Sequence, residues 1–154
     1  MRLGPEPMEI INHSPLILLV DDEQIIRNLL RVTLQRQGYH VLEASNGSEA
    51  ITVFNEHESS IALVLTDVMM PKMGGVELAE RLTEKRPTLP ILFISGYCET
   101  IPKEPNFLGC IPKPFTAQEI VERVSNILSL ETIELSAICS NEAPSRLTPQ
   151  SGSA

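Results

Sequence analysis

The sequence predicts an α/β fold, a doubly wound sheet of five parallel strands. Short apolar runs alternate with stretches whose apolar residues recur at helical spacing. Most of the runs are continuous rather than alternating, which suits strands covered on both faces. Polar residues stand just past the carboxyl ends of four of them, where open α/β sheets place their ligands.

Taken in order, Leu16 to Val20 forms the first run and stops at Asp21-Asp22. Ile25, Ile26, Leu29, Leu30, Val32 and Leu34 then follow at helical spacing, with Ile26, Leu30 and Leu34 as the core stripe, up to Gly38, a residue suited to the left-handed position after a helix. Tyr39 to Ala44 is a second, shorter strand. Asn46-Gly47-Ser48-Glu49 has capping-box spacing ahead of a helix carrying Ala50, Ile51 and Phe54. Ile61 to Thr66 gives the third strand, with Asp67 at its tip before Pro71, Gly74 and Gly75. Val76, Leu78, Ala79 and Leu82 mark a third helix that ends ahead of Pro87, because a residue preceding proline resists the helical region. Pro90 to Ser95 is the fourth strand. The segment 96–106, with Pro102 and Pro105, predicts an irregular loop or one short helical turn. Phe107 to Pro112 is the fifth strand, placed at an edge because Pro112 cannot donate to a ladder. Thr116-Ala117-Gln118-Glu119 is a second capping box, and Ile120, Val121, Val124, Ile127 and Leu128 form the buried face of the last helix. Residues 1–14 read as a flexible leader, 15–130 as the one folded domain and 131–154 as a disordered tail.

Composition narrows the function classes. A chain of 154 residues can bury about two thirds of its unfolded surface, so neither metal nor disulfide is required to hold it together. The net charge of -8, with no run of Lys or Arg, argues against a nucleic-acid or anionic-membrane surface. Cys98, Cys110 and Cys139 form no CxxC pair and predict free thiols in a reducing cytosol. No apolar run approaches the roughly 18 residues that span a bilayer, and the start has no signal-peptide pattern. The expectation is a cytoplasmic protein.

The predicted sheet brings Asp21, Asp22, Asp67, Ser95 and Lys113 to one edge. Singly, each has an ordinary explanation: Asp22 a helix cap, Asp67 and Ser95 turn residues, Lys113 a solvated edge cation. Jointly they make a site. Three carboxylates in one cleft repel, and a hard divalent cation with oxygen ligands relieves them. Magnesium suits the arrangement, since it takes few protein ligands and shares itself with phosphate. A lysine and a hydroxyl at the same point supply what a phosphoryl group's oxygens need during transfer, and an aspartate can be the nucleophile. The residues thus point to Mg-dependent transfer of a phosphoryl group to Asp67. His13, His40 and His57 share no spacing that suggests a metal or base.

Val20-Asp21-Asp22, the stretch from Asp67 through Met69-Met70-Pro71 to Gly74-Gly75, Ser95-Gly96 and Lys113-Pro114-Phe115 together resemble the four signatures of the receiver domain of two-component response regulators. The resemblance covers roughly residues 16–130. It implies a flavodoxin-like strand order 2-1-3-4-5 and Asp67 as phosphoacceptor, whereas the proline-containing span of 18 residues from Ser95 to Lys113, shorter than usual in the family, predicts a shortened or irregular fourth helix. It implies magnesium held by Asp22, Asp67 and the Met69 carbonyl, with Asp21 acting largely through water. Ser95 resembles the switch hydroxyl, Lys113 the residue that pairs with the phosphoryl group, and Pro114 follows it through a cis peptide. The implied donor is a phosphohistidine on a sensor histidine kinase or histidine phosphotransfer protein.

With no DNA-binding region after residue 130, output is expected by protein contact or by passing the phosphoryl group on. The wording around Ser95 and Lys113 is similar to receivers of hybrid histidine kinases. Two departures stand out: Gly74 replaces a frequent Asp, and Cys110 occupies the place of a frequent Tyr or Phe. Met69 and Tyr97 flank the phosphate entrance in the family, where bulk would slow attack by water. Two other readings stay open. A haloacid dehalogenase-type phosphatase also uses a strand-end Asp with magnesium, but needs a second carboxylate two residues on, where this chain has Met69. The other is a receiver-fold interaction module that takes no phosphate, which nothing in the sequence requires, since all five site residues are present.

Overall fold

The structure is a computed structural model and describes residues 14–139. All but the last residue of the expected leader, and positions 140–154 of the expected tail, lie outside the described residues. The elements are β1 (Leu16–Val20), α1 (Gln24–Arg36), β2 (His40–Ala44), α2 (Gly47–Glu56), β3 (Ile61–Asp67), α3 (Gly75–Lys85), β4 (Ile91–Ser95), a 3-10 turn (Cys98–Thr100), β5 (Phe107–Pro112) and α4 (Ala117–Cys139). All strand pairs are parallel and the order is β2-β1-β3-β4-β5, as the resemblance implies. β5 is an edge strand, and the β4–β5 connection holds one 3-10 turn in place of a full helix.

Because side chains alternate across a strand, each central strand feeds two cores. Ile17, Leu19, Leu63, Leu65, Leu92 and Ile94 face α1 and α4, meeting Leu30, Leu34, Ile120 and Val124. Leu18, Val20, Val64, Ile91 and Phe93 face α2 and α3, meeting Ala50, Phe54, Leu78 and Leu82. Both faces of β1, β3 and β4 are therefore dry, which is why these strands read as unbroken apolar runs. Phe93 adds an edge-to-face contact with Phe107, ring centroids 5.1 Å apart.

One expectation holds, the core stripe of α1, and three need amendment. In α1 only Leu30 and Leu34 are buried, with Ile26 packed against them. Ile25, Leu29 and Val32 are exposed at 81%, 47% and 39%. Positions 26, 30 and 34 share one stripe, and 25, 29 and 32 lie about 100–160° round from its centre on a 3.6-residue helix. Asn46 does cap α2, accepting from the Glu49 N–H at 2.8 Å, but Glu49 reaches back to the Ser45 N–H and hydroxyl instead of to Asn46. At α4 both arms of the box form, Thr116 Oγ1 with the Glu119 N–H and Glu119 Oε1 with the Thr116 N–H. That helix runs on to Cys139, past the expected domain end at residue 130.

The third amendment concerns the cysteines. Cys98 and Cys110, expected as free thiols, are joined by a disulfide with Cα atoms 5.7 Å apart. The 3-10 turn folds the chain back over β5, where Cys110 pairs in register with Phe93, and this brings together residues 12 apart in sequence. The free-thiol argument for a reducing compartment falls with it.

Candidate functional site

Parallel strands in this order present the carboxyl ends of β1, β3, β4 and β5 along one edge. Asp21 directly follows β1, with its N–H on the Ala44 carbonyl at 3.2 Å. Asp67 is the last residue of β3, and the chain beyond it is held by the Val68 N–H on the Ile94 carbonyl at 3.1 Å. Ser95 ends β4, and its carbonyl accepts from the Lys113 N–H at 3.0 Å. The Lys113–Pro114 peptide is cis. Gly75, the first residue of α3, has no room for a Cβ, which would run into the carbonyl oxygen of Asp67. Strand tip and helix start are thus locked together, and the Gly75 N–H on the Val68 carbonyl at 2.8 Å closes the turn between them.

The structure gathers the predicted residues. Asp21, Asp22 and Asp67 each offer a carboxylate oxygen, all within 4.8 Å of one another. Lys113 Nζ lies 3.3 Å from Asp67 Oδ1 and 4.0 Å from Asp21 Oδ2. Asp21 and Asp67 are buried, while Asp22 is exposed and opens the cluster to solvent. Asp22 does not cap α1: Glu23 takes the N-cap position without a side-chain bond, and it is Asp21 Oδ1 that accepts the Glu23 N–H at 2.8 Å. Ser95 is buried, and its Oγ accepts from the Tyr97 N–H at 2.9 Å, so the hydroxyl's own proton is available to donate. The Met69 N–H donates to the Asp67 carboxylate, and the Met69 side chain is exposed, as is that of Tyr97.

Electrostatically the edge is under tension. Burial pushes the Asp21 carboxyl up to about 6, helped by Asp67 and Asp22, against the Glu23 hydrogen bond and Lys113, which favour the charged form. Burial also raises Asp67 above the ordinary carboxylate range, although Lys113 and the Met69 N–H pull it down. One oxygen, Asp21 Oδ2, is buried with no hydrogen-bond partner. A buried orphan acceptor beside two further carboxylates, open to water on the Asp22 side, fits a hydrated hard cation.

Sequence reasoning missed one supporting residue. Arg27, in the first turns of α1, donates from Nη1 to the Asp21 carbonyl at 2.7 Å and from Nε to Glu43 at 3.3 Å, tying α1 and β2 to the acidic turn. Glu43 also takes Arg31 at 2.9 Å. An arginine on a helix exposed to solvent carries no signal of its own, and only the register of β1 beside β2 reveals it.

Comparison with known proteins agrees with this geometry. The response regulator receiver domain family matches residues 17–125. The response regulator receiver protein CpdR of Brucella abortus is 36% identical over 116 residues, covering 73% of this chain and 95% of CpdR. The sensor kinase CckA of the same organism is 34% identical over 123 residues, 77% of this chain, but this chain spans only 13% of that kinase. Among solved structures, the response regulator TrrA from Thermotoga maritima superposes with a TM-score of 0.67 at 31% identity, covering 74% of this chain and 99% of TrrA. With its fold and most of its length matched, the chain belongs to the receiver domains of response regulators, the modules that carry a signal through a phosphorelay.

Proposed function

We propose that Asp67 is the phosphoacceptor of this receiver and takes its phosphoryl group from a phosphohistidine on a sensor histidine kinase or histidine phosphotransfer protein. The observation that carries this is Lys113 Nζ at 3.3 Å from Asp67 Oδ1 within a cluster of carboxylates. A carboxylate oxygen of Asp67 attacks phosphorus as the P–N bond to histidine breaks. Lys113 holds the carboxylate in line before transfer and pairs with a phosphoryl oxygen after it. Ser95 donates its hydroxyl proton to a second phosphoryl oxygen.

Asp21, Asp22 and Asp67, with the Met69 carbonyl, would hold Mg2+, and the orphaned Asp21 Oδ2 is the protein's own support for that reading. When bound, the ion offsets the charge of the carboxylates and of the incoming phosphoryl group. TrrA was solved in complex with magnesium and a beryllium fluoride, which is consistent with such a site here. The domain acts as a signalling module and not as an enzyme with turnover. Its output runs through contact with another protein. The likeness to CpdR favours a stand-alone regulator, and the likeness to CckA a piece of a hybrid kinase. A cytoplasmic location follows from the donor, which is charged from nucleoside triphosphate. No helix among the described residues is long and apolar enough to cross a membrane.

The test is to mix the protein and Mg2+ with a phosphotransfer protein carrying radiolabelled phosphohistidine. Label should pass to wild type and not to Asp67→Asn. Equal labelling of the two, or none of either beside a receiver that accepts from the same donor, would overturn the assignment.

A further inference from the structure

The disulfide lies outside the acidic cluster, yet on the two chain segments that bear on it. Cys98 follows Ser95 by three residues, and Cys110 precedes Lys113 by three. The bond therefore staples the corner that follows Ser95 to the edge strand that leads into Lys113. Between them the chain is held by the Thr100 hydroxyl on the Tyr97 carbonyl at 3.1 Å and by Ile101 packed against the core, and by little else before residue 104. The 3-10 turn's own bonds are long, at 3.5 Å from the Thr100 N–H to Tyr97 and 3.4 Å from the Ile101 N–H to Cys98, and residues 102–105 are exposed. The next firm anchor is Asn106, whose side-chain amide donates to Thr83 and to the Leu89 carbonyl, each at 2.9 Å. Both cysteines are partly exposed and line a surface hollow of about 370 Å³ with Lys103, Glu104 and Phe107, so a small thiol reagent can reach them.

We propose that Cys98 and Cys110 form a reversible dithiol–disulfide site, oxidised by low-molecular-weight disulfides, that sets how readily Asp67 takes a phosphoryl group. The inference rests on the cytoplasmic receiver reading above, because a cytosolic disulfide is seldom a permanent staple and is more often transient or redox-sensing. One cysteine thiolate attacks a sulfur of the small disulfide, forming a mixed disulfide and releasing one small thiol. The second cysteine attacks the protein-side sulfur and releases the other. Two electrons pass from the cysteine pair to the small disulfide, and the two cysteine protons leave with the released thiols. In the bonded state the Ser95 corner moves only with β5, with the Tyr97 N–H on Ser95 Oγ and the Lys113 N–H on the Ser95 carbonyl. Reduction frees that corner to adjust around a phosphoryl group on Asp67, so the dithiol form is the better acceptor.

The experiment uses the full chain carrying Cys139→Ser, so that these two are the only thiols. The protein is equilibrated in glutathione buffers from fully reduced to fully oxidised, and the loss of two hydrogens is read by intact mass. It is then phosphorylated with acetyl phosphate and Mg2+. The pair should pass from dithiol to disulfide within the buffer series. The dithiol form should be phosphorylated about tenfold faster, within the usual range of coupling between sites. A Cys98→Ser, Cys110→Ser protein should match the dithiol form in every buffer. A bond that survives reduced glutathione or never forms, or equal rates in the two states, would overturn the proposal. Should no form take the phosphoryl group, the receiver reading fails separately. Amide exchange across residues 96–106 then decides: faster exchange in the dithiol form supports the switch and equal exchange refutes it.

Discussion

Replacing Asp21 by Asn should stabilise the metal-free protein at pH 7.5, and the size of the effect can be worked from the site. The Asp21 carboxyl is pushed from its ordinary 3.8 to about 6, chiefly by burial. A displacement of about two pH units corresponds to about 3 kcal/mol. The folded protein thus holds this proton more tightly than the unfolded chain does. The stability it contributes is fully present below about pH 3.8 and is lost as the pH rises through about 6. At pH 7.5 the charged, half-orphaned carboxylate is a liability. Asn keeps the size and can still accept the Glu23 N–H while removing the charge. Asp67 is raised for the same first reason and works in the same direction.

Urea unfolding in EDTA at pH 5, 6 and 7.5 reads the effect. Wild type should gain stability toward pH 5, and Asp21→Asn should exceed wild type at pH 7.5 by up to about 3 kcal/mol, with the gap narrowing to about half of that at pH 5. The net charge of -8 relaxes on acidification in both proteins, so the difference between them is the quantity that counts. Saturating Mg2+ should reverse the order at pH 7.5 by stabilising wild type far more than the variant. A gap that is absent at pH 7.5 in EDTA, or unchanged at pH 5, would refute the reasoning.

Further outcomes follow from the same geometry. Gly75→Ala forces a Cβ against the Asp67 carbonyl and should cost about 3 kcal/mol or more in unfolding free energy, with phosphorylation lost alongside. Lys113→Ala removes the cation from the buried Asp67, and metal-free unfolding should fall by about 1–3 kcal/mol at pH 7.5 and by less near pH 5. Reducing the Cys98–Cys110 bond should lower the urea midpoint, the closed loop being worth about 3 kcal/mol at most. Met69→Ala with Tyr97→Ala strips exposed bulk near Asp67 and Ser95, and the phosphorylated protein should then hydrolyse faster than wild type. Matching decay rates would dismiss that shielding role.

Most of the fold was legible because the central strands bury both faces. Leu16–Val20 and Ile61–Asp67 announce themselves as unbroken apolar runs, and the polar residues that end them lie at the site by the topology of a parallel sheet alone. Asp21, Asp22, Asp67, Ser95 and Lys113 were readable for that reason. What escaped depended on neighbours distant in sequence. The Cys98–Cys110 bond needs the fold-back at the 3-10 turn, which proline-rich sequence does not specify. Arg27 reaches Asp21 only because α1 starts beside the end of β2. Glu49 bonding to Ser45 rather than Asn46 is a shift of one residue within a motif whose spacing was correct.

The most direct test of the account is intact mass after incubation with acetyl phosphate and Mg2+, comparing wild type with Asp67→Asn. Wild type should gain the mass of one phosphoryl group, lose it on mild base treatment, and gain nothing in EDTA, while Asp67→Asn stays unmodified throughout. A folded wild-type protein that binds Mg2+ yet gains no mass, or a variant that gains as much as wild type, would contradict the claim that Asp67 receives the phosphoryl group.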